Sequence, residues 1–261
     1  MIAAFRFKRA EGRFAKSKMY LKEIETLVAN LSGSVEEFTD PLFEKRITRK
    51  KTLVVITGDK GLCGAYNTNL LKAAAAWAME NRAFETSFIP VGKVCFESFK
   101  KKHQPVLFGY PEKAAVDPEL SKKITADLKN LFLSGKTDSI ELLYTSYRSG
   151  GTGRILRVPF LSLNYLVENK KKENRLIDYI YEPDFQTVFL SLLSRYMEGK
   201  ITITLLESLT SEYSARMIAM KQATDNSDEI LDNLRLLRNK TRQGTITREL
   251  SEIVSGASVL V

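Results

Sequence analysis

A glycine-rich turn is the first part of this sequence whose residue types could carry chemistry. Gly58, Gly61 and Gly64 follow the β-branched run Lys51–Thr57 and precede a segment with helical patterning, which is the order of a dinucleotide-binding unit. These glycines recur at every third position, whereas phosphate-binding motifs need G-x-G-x-x-G or a Gly-Lys-Ser or Gly-Lys-Thr triplet. The spacing favours a structural strand-to-helix turn that needs positive φ. A Rossmann-type nucleotide-binding protein with a coiled-coil interaction arm stays as the alternative.

The cysteines and the histidine offer little further chemistry. Cys63 lies inside the glycine turn at a helix start, where a thiol pKa would fall and the thiolate could act as a nucleophile. His103 is the single histidine of the chain and lies far from Cys63 in sequence, so a catalytic Cys–His pair or a histidine-based metal site is poorly supplied. Cys63 and Cys95 stand in unrelated contexts, which favours a reduced compartment. We expect no metal and no cofactor.

Composition limits the class of protein. The chain has 261 residues, of which 44% are hydrophobic, and this describes a folded domain with room for an additional extended element. No apolar run reaches the roughly 18 residues that cross a bilayer. The net charge of +9 is compatible with a nucleic-acid surface, especially along the Lys/Arg-rich N-terminal helix, but solvated basic faces explain it more simply. We therefore expect no nucleic acid partner.

The last fifty-odd residues, Leu205–Val261, have the pattern of a coiled-coil helix. They contain no proline, and apolar residues recur in steps of three and four. The first stretch of this seam is made of Leu206, Leu209, Tyr213, Met220, Ala223, Ile230, Leu234 and Leu237. A second stretch, out of phase with the first, is made of Ile246, Leu250, Ile253, Ala257 and Leu260. The polar run Asn239–Thr245 separates the two, and a polar break in a seam sets register or faces a different partner.

The N-terminal residues Ile2–Leu31 form a second amphipathic helix, which could lie antiparallel to the C-terminal one. Between the two helices, the pattern predicts a small α/β layer with a largely parallel sheet. The expected strands are Lys51–Thr57, Thr86–Val91, Asp138–Tyr147 and Arg154–Leu163. The expected helices are Asn67–Asn81 with Asn67 as its cap, Val94–Lys102, Pro118–Ser134, and Phe185–Glu198 with Gly199 just before the long helix. The domains expected are 1–45, 46–183 and 184–261.

Three segments together resemble the gamma subunit of F-type ATP synthases. They are Ile56–Asn67 (ITGDKGLCGAYN), Ser211-Glu212 followed by Ala215–Asn226 (ARMIAMKQATDN), and Asn239–Gln243 (NKTRQ) with Ile246–Ala257 (ITRELSEIVSGA), with support from Tyr181–Asp184. The similarity extends over nearly the whole chain. It implies an antiparallel coiled coil of the terminal helices joined to a central Rossmann-like α/β domain that binds no nucleotide.

The same resemblance implies a function for the whole chain. The chain would be a non-catalytic rotor subunit of the central stalk, coupling proton-driven rotation of the membrane ring to conformational change at the catalytic beta subunits. Its partners would be the alpha and beta subunits of the head, the epsilon subunit and the proteolipid ring. It would lie peripherally at the cytoplasmic face of the bacterial inner membrane.

Residue roles also follow from the resemblance, position by position. Three residues match family residues that hydrogen-bond a loop of a beta subunit: Arg242, Gln243 and Thr247. The apolar tip that turns within the sleeve of the head would include Val259, Leu260 and Val261. At the foot, near the polar loops of the ring, the matching residue is Tyr179.

The sequence departs from the family at its beginning. The N-terminal helix of the family starts roughly two dozen residues earlier, so Met1 aligns with the middle of that helix. Either the true start lies upstream, or this rotor has a shortened upper shaft. In the chain as written, the residues from about Ile246 onward lack their coiled-coil partner, and we expect them to be mobile in the isolated protein. The insertion that carries a regulatory cysteine pair in chloroplast members is absent, so thiol control is not expected.

Overall fold

A computed structural model describes residues 2–31, 40–44, 46–112, 116–148, 153–163, 166 and 181–258. The helices and strands are α1 (Ile2–Leu31), β1 (Lys50–Ile56), α2 (Tyr66–Glu80), β2 (Glu85–Val91), α3 (Lys93–Lys101), α4 (Pro118–Leu133), β3 (Ser139–Thr145), β4 (Ile155–Leu161) and α5 (Phe185–Ser258). Contacts divide the chain into two compact units, Met1–Met217 and Ile218–Val261. The division into 1–45, 46–183 and 184–261 stays a prediction.

A four-stranded sheet with the order β2-β1-β3-β4 lies in the first unit. Strand β1 is parallel to both of its neighbours, with Leu53 opposite Phe88 of β2 and Glu141 of β3. Strand β4 is antiparallel to β3. The predicted α/β layer with a largely parallel sheet is confirmed.

The sheet is covered on both faces, which explains why the run Leu53–Ile56 in β1 is apolar without alternation. Successive side chains of a strand point to opposite faces. Val54 and Ile56 accordingly pack in a core with α1, α4 and the start of α5. Leu53 and Val55 pack in a second core with α2 and α3, around Trp77.

Helix α1 packs antiparallel to α5 within the first unit. Leu31, at the end of α1, packs against Phe189 near the start of α5. Leu21, ten residues earlier, approaches Gly199, ten residues later, so closely that a β-carbon on Gly199 would lie 3.0 Å from Leu21 Cδ1. The order of these contacts runs in opposite directions along the two helices, which confirms the predicted antiparallel pairing in this unit.

Two local predictions are wrong. The predicted helix end at Glu198 does not occur, because α5 continues through Gly199, where the missing side chain makes room for Leu21. Asn67 does not cap α2: the N-cap position is Ala65, without a side-chain hydrogen bond, and Asn67 lies in the first helical turn. Among the residues described, no helix combines the length and the apolar character that crossing a bilayer requires.

Glu207 of α5 lies partly buried where this helix meets the end of β3. Its Oε1 accepts a hydrogen bond from the backbone N–H of Tyr147 at 3.1 Å. Burial raises the pKa of the Glu207 carboxyl group, and the hydrogen bonds from Tyr147 and the Tyr144 hydroxyl, together with the charge of Lys18, only partly oppose this. The carboxylate therefore costs stability when it is ionised.

We expect Glu207→Gln to raise the midpoint of thermal unfolding at pH 7. Because folding raises the pKa, the stabilising contribution of Glu207 is present at low pH and is lost as the pH rises through the folded value. Glutamine stays neutral and keeps an acceptor for Tyr147, so the advantage of the variant should vanish below about pH 4, where both side chains are neutral. Glu229→Gln, on an exposed part of the same helix, is the matched control. A lower midpoint for Glu207→Gln at pH 7 would contradict the pKa direction.

Candidate functional site

The glycine turn after β1 is a structural turn held by Asn67. Leu62 and Gly64 adopt left-handed backbone conformations, with φ of 61° and 58°. The N–H of Gly58 donates to Asn67 Oδ1 at 2.9 Å, and Asn67 Nδ2 donates to the carbonyl of Lys60 at 3.3 Å. Positive φ is thus confirmed at Gly64. The amide of Asn67 fixes the turn from within α2 and leaves the helix end uncapped by a side chain.

Helix α5 covers the edge of the sheet where β1 and β3 end. The Tyr66 hydroxyl donates to the Ser208 carbonyl at 2.9 Å, which ties the start of α2 to α5. The Ser211 hydroxyl contacts the Ser146 carbonyl just beyond β3, at 3.4 Å. Gly153 allows this approach, because a β-carbon there would collide with the Ser146 carbonyl and the Ser211 hydroxyl. In open α/β sheets, ligands bind at this edge, where the strand order reverses.

An ion pair from α5 fills this edge. Arg216 Nη2 lies 2.9 Å from Glu212 Oε1, and the two side chains are only 17% and 5% exposed. The Arg216 guanidinium also donates to the carbonyls of Lys60 and Gly61, at 3.2 and 3.1 Å. A β-carbon on Gly58 would lie 2.8 Å from Glu212 Cδ, so this glycine is required by the close approach of the carboxylate. We call Glu212, Arg216 and the turn Gly58–Gly64 the turn clamp.

The turn clamp argues against nucleotide binding at this edge. A dinucleotide site places its pyrophosphate at the glycine turn and the helix N-terminus. Here the carboxylate of Glu212 lies against Gly58, and a phosphate would be repelled by that charge and excluded by its volume. The Rossmann-type nucleotide-binding alternative is therefore disfavoured on electrostatic and steric grounds.

Cys63 is not placed for nucleophilic chemistry. Burial raises the pKa of its thiol, and the nearby Arg216 cation opposes this only in part. The side chain is 2% exposed and accepts a hydrogen bond from Asn67 Nδ2 at 3.3 Å. Since the thiolate is the reactive species, a buried thiol with a raised pKa is inert. Among the residues described, no group of three or more His, Cys, Asp or Glu side chains could hold a metal ion.

A second candidate surface is the part of α5 in the second unit. Arg242, Gln243 and Thr247 are all exposed on this helix. Within the described part of the chain, no hydrogen bond is made by the side chain of Arg242 or Gln243, whereas the Thr247 hydroxyl donates to the Gln243 carbonyl at 2.9 Å. Gln243 and Thr247 are four residues apart and share a face. The guanidinium and the amide are thus available to a partner, and Thr247 retains its capacity to accept.

Six of the exposed apolar side chains on this part of α5 form two stripes on opposite faces. The lower stripe comprises Ile230, Leu234 and Leu237, and the upper stripe comprises Ile246, Leu250 and Ile253. All six side chains are 45% to 67% exposed. Leu237 and Ile246 are separated by about two and a half helical turns, so the stripes face opposite directions. The second stretch of the predicted seam is thus out of phase with the first by about half a turn. Arg242, four residues before Ile246, lies on the same face as the upper stripe.

The remaining predicted site residues lie outside the described residues. They are Tyr179 at the foot and Val259, Leu260 and Val261 at the tip. Their assignments stay predictions.

Comparison with known proteins covers the entire chain. A family model described as ATP synthase matches residues 1–260. The ATP synthase gamma chain of Chloroherpeton thalassium is 32% identical over 278 residues, covering 100% of this chain and 90% of that protein. The gamma chain of Cupriavidus necator is 34% identical over 267 residues, covering 100% and 91%. The chain belongs to the ATP synthase gamma chain family.

Solved structures share the fold of this gamma-family chain. A chain from the central stalk/c-ring structure of the Tetrahymena thermophila mitochondrial ATP synthase has a TM-score of 0.60 at 18% identity, covering 86% of this chain and all of that one. One from the Euglena gracilis mitochondrial ATP synthase has a TM-score of 0.59 at 18% identity, covering 99% and 94%. The predicted combination of long helices with an α/β domain is confirmed.

Sequence reasoning gave Glu212 and Arg216 no role in this gamma-family chain, although both lie in a motif that carried the resemblance. A glutamate and an arginine four residues apart on a helix usually form an exposed pair. No local signal in the sequence distinguishes this pair from an exposed one, because the contact that encloses it comes from the distant turn Gly58–Gly64.

We expect Glu212→Gln to lower the free energy of unfolding by about 3 kcal/mol, because it leaves the enclosed Arg216 cation without its carboxylate. Chemical denaturation of the purified chain would measure this. The matched control is Glu80→Gln, since Glu80 pairs with Arg157 at the same 2.9 Å but with side chains that are 61% and 45% exposed. That variant should lose less than about 1 kcal/mol. Equal losses in the two variants would mean that the turn clamp contributes no more than a surface pair.

Proposed function

We propose that this chain is the central-stalk rotor subunit of an F-type ATP synthase, coupling rotation of the membrane ring to conformational change at the catalytic subunits. The observation that carries the proposal is the match to gamma chains, which includes every part of this chain and about nine-tenths of each relative. A shared domain alone would leave the long helix unmatched. Here the α/β domain and both terminal helices match together.

The turn clamp supports this proposal mechanically. A rotor subunit needs its domains fixed to its shaft, because a loose joint would turn without transmitting force. In this chain, Glu212 and Arg216 are part of α5 itself. Arg216 donates hydrogen bonds to backbone carbonyls of the β1–α2 turn, and Glu212 pairs with Arg216 and lies against Gly58. The contacts therefore join α5 directly to the turn at the end of β1. The edge of the sheet where related enzymes bind a ligand is used here to attach the helix to the α/β domain.

The two apolar stripes support the coupling step. A partner can shift a conformational equilibrium only if it contacts the alternative states differently. A helix with its lower stripe on one face and its upper stripe on the other presents different chemistry to neighbours arranged around it. We propose that Arg242, Gln243 and Thr247 hydrogen-bond a loop of one beta subunit at a time, and that Val259, Leu260 and Val261 form the tip inside the head.

The partners and the location are part of the same proposal. The Tetrahymena structure comprises a central stalk and a c-ring, and the Euglena structure comprises OSCP, F1 and the c-ring. For this chain we propose the alpha and beta subunits of the head, the epsilon subunit and the proteolipid ring, with Tyr179 at the foot near the ring. The complex would lie at the cytoplasmic face of a bacterial inner membrane. Catalysis would belong to the beta subunits.

A direct test is purification of the tagged chain from its native membranes after mild detergent extraction. Recovery of alpha, beta and epsilon subunits in constant proportion is expected. Equilibrium titration of the isolated chain with ATP and with NAD provides the opposing measurement. Saturable micromolar binding of either nucleotide, without recovery of the other subunits, would favour a Rossmann-type enzyme and overturn the proposal.

We expect Arg242→Ala and Gln243→Ala each to lower proton-driven ATP synthesis, by roughly five- to tenfold, while the fold stays intact. Each removes hydrogen bonds worth about 1–1.5 kcal/mol to a partner loop. Reconstituted vesicles containing the whole complex would measure synthesis, and circular dichroism would check the helix. Arg235→Ala serves as the control, because Arg235 is equally exposed on α5 but bonds Asp232 of its own helix at 3.0 Å. Unchanged synthesis in both variants would contradict the contact assignment.

A further inference from the structure

A small groove lies on the outer side of the α/β domain, between α2 and α3. Its volume is about 250 Å³. The floor is apolar and is formed by Leu71, Ala74, Ala78, Phe88 and Phe99. Phe88 and Phe99 pack against each other, with ring centroids 4.9 Å apart. The alanine side chains on α2 are too small to fill the space beside these rings, and this leaves the depression. The groove has the size of one large apolar side chain.

The rim of this groove is positively charged. Arg82, just beyond α2, and Lys102, just beyond α3, stand on it, and both are exposed. None of the lining residues is acidic, and the structure describes all of them. The basic run continues through Lys100 and Lys101, which are also exposed. Met79 on the rim is 63% exposed, so an apolar contact area extends beyond the groove itself.

Two other grooves in the described part of the chain lack this combination. A wider groove of about 720 Å³ beside Tyr110 contains Lys123 and Lys136, but Glu112 and Asp127 balance them. A groove of about 440 Å³ beside Pro183 is apolar, with Arg195 and Glu182 as its charged residues. Of these three grooves, all lined by residues that the structure describes, the α2–α3 groove alone joins an apolar floor to cations without a compensating acid in its lining.

We propose that the α2–α3 groove is a docking site for a segment of another subunit of the ATP synthase, in which one large apolar side chain is flanked by acidic residues. The inference rests on the proposed function for the identity of the complex. The apolar side chain would fill the floor between Ala74 and Phe99. The acidic residues would pair with Arg82 and Lys102. Desolvation of the apolar anchor supplies affinity, while the rim charges select the partner and speed its approach.

The groove would anchor an interface and would not be the whole of it. One buried side chain and two rim pairs cover far less than the roughly 800 Å² per partner of a stable interface. Further contacts of the same partner are expected on the basic surface that follows α3. A small contact of this kind is sufficient in a complex where other subunits also bind the same partner.

Site-specific photocrosslinking in the whole complex tests the proposal. A benzophenone amino acid replaces Ala75, which lines the groove and is exposed, or Ala76, which is exposed on the same helix but does not line it. Irradiation of the purified complex should crosslink position 75, and not position 76, to another subunit. Mass spectrometry should place the crosslink beside an apolar residue with Asp or Glu within two positions.

Charge reversal supplies a second readout. Arg82→Glu combined with Lys102→Glu should lower the crosslink yield at position 75 by roughly five- to tenfold, because rim attraction becomes repulsion. Lys122→Glu combined with Lys123→Glu changes the net charge equally on α4, away from the groove, and should leave the yield unchanged. Equal losses in the two pairs would overturn the assigned rim contacts.

The outcomes separate this inference from the proposed function. If the tagged chain brings down no catalytic subunits, the proposed function has failed. If the complex is recovered and position 75 crosslinks no better than position 76, crosslinks to a second copy of this chain, or reaches a segment without acidic residues, the docking proposal has failed while the rotor assignment stands.

Discussion

The ion pair between Glu212 and Arg216 determines what this fold can do. It places a carboxylate against Gly58 at the edge of the sheet where related folds bind phosphates, and it satisfies the carbonyls of Lys60 and Gly61 with the same guanidinium. Enclosed ion pairs add little net stability, but breaking one is costly because a charge is left without its partner. We interpret the pair as a device that fixes the register of α5 on the sheet. A shift of one helical turn would separate Glu212 from Gly58 and Arg216 from the carbonyls that it contacts.

Helix α5 is stabilised by different interactions in its two parts. Up to Met217 it belongs to the first unit, where Phe189, Leu193 and Leu205 lie in the cores and tertiary packing stabilises the helix. From Lys221 to Ser255 every side chain is exposed. There the helix relies on its backbone hydrogen bonds and on local pairs such as Arg235 with Asp232. A helix without tertiary contacts is only marginally stable in water, so this part has the composition of a surface completed by partners.

The sequence predicted the fold well wherever a local pattern had one structural solution. The run Lys51–Thr57 indicated a buried strand, and the apolar spacing in Ile2–Leu31 indicated a helix; the structure has β1 and α1 there, with Val54 and Val28 in the core. The prediction failed where a long-range contact decided the outcome. Gly199 resembled a helix end, yet Leu21 from α1 explains the missing side chain. Asn67 resembled a cap, yet its amide is used by the turn before it. The role of Glu212 was equally hidden, because no local pattern reveals that another segment lies against its carboxylate.

The half-turn between the two apolar stripes links this architecture to the proposed rotation. A coiled-coil shaft with one continuous seam would bury its apolar surface against a single partner helix and present a uniform polar surface to everything else. Here the polar run Asn239–Thr245 lets the seam change faces, so that Leu237 and Ile246 cannot serve the same partner. In the proposed rotor, the stripe below the break would pack on a companion helix, and the stripe and Arg242 above it would face the surrounding assembly. This change of face interrupts the coiled coil and so reduces the apolar surface that one partner helix can bury. In the proposed rotor, it also makes the contacts of the helix differ from one surrounding subunit to the next, which the coupling requires.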